Sequence, residues 1–129
     1  MNEAEHLRAP ADAVDAIFDM TIERVLANLP AQFAERLGTV AIVVEDEATP
    51  DQLASVRAGG LFGLYQGIPR TRWGAENASV PSKITLFRGP LVRAARTPER
   101  LGRAIEDTLL HEIAHHFGID DLRLAELRR

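Results

Sequence analysis

The sequence predicts an α+β domain, with a small three-stranded sheet packed against helices and a long helix near the C-terminal end. Three observations predict it. Apolar residues recur at three- and four-residue spacing over 11–29 and again over 98–117. Three short runs rich in β-branched or aromatic residues, 39–44, 61–67 and 83–88, lie between them. Glycine and proline punctuate the boundaries. The order helix, strand, strand, strand, helix, helix keeps the strands together, which is the α+β pattern; strand order within the sheet is not encoded in it.

Residues 1–10 read as a loosely ordered lead-in to a single domain spanning 1–129. In the first helix, Val14, Ile17, Phe18, Ile22, Val25, Leu26 and Leu29 form one face, and Pro30 ends it. Phe33 and Leu37 predict a further turn or two before Gly38. The run TVAIVV over 39–44 is continuous rather than alternating, so it predicts a strand buried on both faces. Thr49-Pro50 is a cap followed by a first-turn proline and opens a helical turn through Leu53. Gly59-Gly60 breaks the chain, and LFGLYQG over 61–67 is a second strand. Gly63 and Gly67 mark it as an edge, a bulge or a place where another backbone comes close. A long loop is expected over 69–82, then a third strand, KITLFR, over 83–88, ended by Gly89-Pro90. Thr97-Pro98-Glu99 is a strong helix start, and Gly118 is its left-handed stop after Phe117. A short last helix is expected over 120–128.

Composition narrows the function. With 46% hydrophobic and 26% charged residues the chain can bury a core. A net charge of -4 leaves no cationic stripe, so nucleic acid is not an expected partner. The arginines from Arg88 to Arg103 read as a solvated surface. There is no cysteine, which excludes disulfides and thiolate metal sites. Neither a secretory pattern nor an apolar run of membrane length is present, so a cytoplasmic location and no membrane partner are expected. Oligomeric state is not legible.

Residues 111–121 read HEIAHHFGIDD. His111 and His115 are one helical turn apart and point the same way, so two imidazoles can reach one ion. Glu112 projects beside them, placed to take a proton from water rather than to bind metal. With 4 His and 11 Glu in 129 residues, chance supplies only about 0.01 such His-Glu-x-x-His matches per chain. A catalytic zinc normally has three protein ligands. The turn at Gly118 can bring back Asp121, ten residues after His111, as the third; Asp120 is the near alternative. His116, rotated by about 100° from His115, is expected to face elsewhere, as a surface or supporting group. Trp73 in the 69–82 loop and Tyr65 on the second strand are candidate substrate-binding residues, set against plainer readings as a packing anchor and an edge-strand tyrosine.

The eleven-residue block resembles the extended zincin signature His-Glu-x-x-His-x-x-Gly-x-x-His/Asp, and its Asp-ending form looks like the small bacterial minimal-zincin metallopeptidase-like family. LFGLYQGIPRT (61–71) and KITLFRGPLVR (83–93) are similar to that family's other blocks, so the resemblance covers most of 39–125. It implies a single domain with a short sheet and a C-terminal motif helix. It also implies His111, His115 and Asp121 as ligands of one zinc ion, Glu112 as catalytic base, and an edge strand along which an extended peptide could lie. Asp in the third position departs from the metzincins. With eight residues after Asp121, neither a Met-containing turn nor a second lobe is expected. The leading expectation is a zinc metallopeptidase acting on peptide or protein substrates. The alternative is a zinc-stabilised module that captures a peptide without cutting it.

Overall fold

The computed structural model describes residues 11–38, 40–54, 61–67 and 82–118. The helices are α1 (Ala11–Ala27), α2 (Ala31–Leu37), α3 (Pro50–Ala54), α4 (Arg88–Ala95) and α5 (Pro98–Phe117); the strands are β1 (Ala41–Glu45), β2 (Gly63–Gln66) and β3 (Lys83–Phe87). The fold is α+β, as the element order predicts. The lead-in, Gly59-Gly60, the loop with Trp73 and the expected last helix lie outside the described residues.

The helix signals resolve as local physics requires. Thr97 is extended and its side chain accepts from the Arg100 N–H, with Pro98 just inside the helix. Gly118 closes α5 at φ 66°, ψ 32°, a conformation that costs an L side chain roughly 1–2 kcal/mol. At α3, Gln52 N donates to Thr49 Oγ1 (3.1 Å) and Thr49 N donates to Gln52 Oε1 (2.8 Å), a reciprocal capping box.

The sheet order is β1-β3-β2, with β1 parallel and β2 antiparallel to β3. This corrects the reading of the TVAIVV run. Its residues 41–44 lie in β1, but among the described residues β1 is at an edge and only partly buried, with Ala41 exposed. Only one strand of three can be central, and that is β3, where Ile84, Leu86 and Phe87 are fully buried. Among the described residues β2 lies at the opposite edge, one of the readings its glycines allow. The third strand also stops one residue early, at Phe87, and α4 follows at once, a helix the sequence reading missed. Gly89-Pro90 is not a strand terminator followed by loop. Pro90 sits in the first turn of α4, where a missing N–H costs nothing, and Leu91 and Ala95 face the core.

Alternation along the strands puts Ile42 and Val44, Ile84 and Leu86, and Gly63 and Tyr65 on one face of the sheet. There they meet Val14, Phe18 and Val25 of α1 and Leu101, Ile105, Leu109 and Ile113 of α5 in a single apolar cluster. An Arg24–Glu106 ion pair (2.7 Å) bridges α1 and α5 at the surface. Arg88 joins α4 to Asp15 of α1 and to Asp46 after β1. Among the described residues, no helix is long and apolar enough to cross a membrane.

Candidate metal centre

The last two turns of α5 carry the motif, and the stripe logic of the helix sorts its residues. Leu101, Ile105 and Leu109 run down the buried face, and Glu112, Ile113 and His116 continue it. His111 and His115 lie on the neighbouring stripe, half-buried and exposed respectively. Their ring centroids are 4.7 Å apart and their planes meet at 62°. Glu112 is buried, at 6% exposure, and its Oε1 lies 3.2 Å from His115 Nδ1. One donor atom from each of His111, Glu112 and His115 can be chosen so that all lie within 4.8 Å of one another.

This donor set fits zinc. Two imidazole nitrogens are ligands that ion accepts, with the Glu112 carboxylate beside them as a proton acceptor rather than a ligand; with bonds of about 2.0–2.1 Å the ligand atoms around a tetrahedral ion lie roughly 3.3 Å apart. The histidine one turn down the helix is brought to the other as the spacing predicts.

Glu112 owes its position to Gly63. A Cβ on Gly63 would lie 2.6 Å from Thr108 Cγ2 and 3.3 Å from Glu112 Cγ. The bare backbone of β2 lets the motif helix settle against the edge strand, the close approach that glycine in a strand signals. Two residues on, the Tyr65 hydroxyl lies 3.1 Å from His116 Nδ1 and 3.2 Å from Ser82 Oγ. Tyr65 is thus on the helix-facing side of β2, with its hydroxyl engaged within the fold. His116 is fully buried, which rules out the surface alternative of the two expected for it and leaves that of a supporting group. Its rotation away from His115 turns it toward the sheet, not toward solvent. The signal was present in the sequence: His116 is four residues after Glu112 and seven after Leu109, in step with the buried stripe. Ser82, at the head of β3, carried no such signal. Trp73, Asp120 and Asp121 lie outside the described residues.

An open cavity of about 420 Å³ lies elsewhere, between the start of α1, the turn after β1, and α4. Asp46, Glu47, Arg88 and Arg93 line it, and their charges pair across it: Arg88 with Asp46, and Arg93 with Glu47 at 2.7 and 3.0 Å. The Arg93 guanidinium holds the Glu47 carboxyl below its ordinary range, and Glu47 in turn raises Arg93. Among the described residues, none of the motif lines this cavity.

Residues 37–129 match the family described as zincin-like metallopeptidase, nearly three quarters of the chain and the whole of the sheet and motif helix. No curated protein matches the chain.

Proposed function

The chain belongs to the zincin-like metallopeptidase family, and from that premise we propose that it is a zinc-dependent peptidase in which His111, His115 and Asp121 hold one ion and Glu112 is the general base. The observation that carries this reading is the convergence of His111, Glu112 and His115 on one side of α5, with Glu112 buried against an edge strand. When bound, zinc supplies a Lewis acid that polarises the scissile carbonyl and lowers the pKa of water toward about 7.

The chain's own residues supply the rest. The Glu112 carboxylate accepts a proton from the attacking water and returns it to the departing amine nitrogen. A carbon–oxygen bond forms, the carbon–nitrogen bond breaks, and the proton passes through one side chain. Among the described residues β2 pairs only with β3, so its outer edge offers backbone N–H and C=O groups to an extended peptide. A peptide added there would run past Glu112, because Gly63 lies within contact range of it. The family supports peptide or protein substrates, and the two imidazoles support zinc as the metal.

The test is turnover of a peptide library by the purified, zinc-loaded chain, followed by mass spectrometry, with Glu112→Gln beside it. Cleavage is expected in the native chain. Glu112→Gln should retain zinc and lose at least about 100-fold in rate, the scale of a general base. Full activity in that variant would refute the role of Glu112. Peptide binding with no products would favour a capture module over an enzyme.

A further inference from the structure

The motif helix docks on β2 at two points, and the second is polar. At the first, Thr108 and Glu112 rest on the bare backbone of Gly63. At the second, one turn on, a part-buried hydrogen-bonded chain runs from His116 Nδ1 to the Tyr65 hydroxyl and on to Ser82 Oγ, with spacings of 3.1 and 3.2 Å. His116 has no exposed surface and meets Tyr65 edge-on, ring centroids 5.6 Å apart. It also meets Phe117 at 4.9 Å, and Phe117 meets Phe33 of α2 at 5.2 Å.

An apolar contact would give this turn the same burial without fixing its rotation. A hydrogen bond is directional, and rotation matters here. With side chains included, a helix has a radius of about 5–6 Å. A roll of only about 5° therefore moves a side-chain tip by about 0.5 Å, against a tolerance of about 0.2 Å for metal–ligand bonds. His115 is the immediate neighbour of His116, so whatever holds one ring against the sheet sets the direction of the other.

We infer that Tyr65 and His116 are positioning residues: their hydrogen bond, anchored by Ser82, sets the roll of the last turn of α5 and so aims His111 and His115 at one ion while Glu112 stays beside β2. The inference rests on the zinc reading above and assigns a purpose to a tyrosine whose hydroxyl lies between His116 and Ser82.

The test is zinc affinity by chelator competition, with the visible absorption of the Co²⁺-substituted chain as a second readout. Tyr65→Phe removes the hydroxyl alone. It should weaken zinc binding about tenfold, the lower end of the range for groups that support metal ligands, and alter the cobalt spectrum. His116→Asn keeps a polar atom near the position of Nδ1 and should bind zinc clearly better than His116→Leu, which should weaken about tenfold like Tyr65→Phe. Native-like zinc affinity and cobalt spectrum in Tyr65→Phe would overturn the inference. If that variant does not fold, equal binding by His116→Asn and His116→Leu overturns it, and the expected split supports it. A native chain that takes up no zinc would overturn the proposed function itself; a native chain that binds, with variants that bind equally well, would overturn only the positioning role.

Discussion

Adding one methyl group at Gly63 probes the contact that brings the motif helix to the edge strand. In Gly63→Ala the new Cβ would lie 2.6 Å from Thr108 Cγ2, and 3.3 Å from both Glu112 Cγ and the Thr85 carbonyl oxygen. Carbon atoms in good contact sit about 3.5–4.0 Å apart, so the first contact falls short by roughly 1 Å. Gly63 is not among the residues with positive φ, so the cost is steric rather than conformational. Overpacking of this kind costs about 1–3 kcal/mol, while loss of unfolded-state freedom on Gly→Ala returns about 0.4–1 kcal/mol. The net expectation is a loss of about 1–2 kcal/mol, lowering Tm by about 3–8 °C for a chain of this size. Urea unfolding followed by circular dichroism measures it. Thr108→Ser removes the offending methyl and leaves the two 3.3 Å contacts, so the double variant should recover at least about half of the loss, since neighbouring sites couple. A Gly63→Ala chain as stable as the native one, or a double variant with no recovery, would refute the claim that β2 and α5 are in contact at this point.

Three further outcomes are expected. Asp121→Ala should weaken zinc binding by at least about tenfold while Asp120→Ala leaves it near native, as loss of one of three ligands implies; the reverse pattern in chelator competition would exchange the two. Thr97→Ala should cost about 1 kcal/mol through loss of the cap on α5, read by urea titration. Arg93→Ala should return the Glu47 carboxyl to its ordinary range, followed by carboxyl-carbon NMR. Because Glu47 is depressed in the folded chain, its pairing stabilises above the ordinary carboxylate range and is lost as pH falls through the depressed value. The stability difference between the native chain and Arg93→Ala should therefore be small, vanish in acid and shrink in salt, since both side chains are exposed.

The sheet was legible as three strands but not as an arrangement. The continuous run in β1 has the composition of a central strand and sits at an edge. The reason is that β-branched residues report a fit to a pleated, half-buried surface, not a place in the order. The helix over Arg88–Ala95 went unread because Gly-Pro is a stop signal in most settings, and only its position in a first turn makes it a start.

The sequence by itself determined what is local. The cap at Thr97, the left-handed stop at Gly118 and the one-turn spacing of His111 and His115 depend on helix geometry within a few residues, so spacing alone placed two imidazoles side by side. Tertiary structure decided what lies opposite them. That Glu112 rests on Gly63, about fifty residues away in the chain, and that Tyr65 and Ser82 hold His116 inside rather than leaving it at the surface, follow from packing α5 onto an antiparallel edge strand. Contacts between distant segments depend on which faces are buried together, and no local periodicity carries that information.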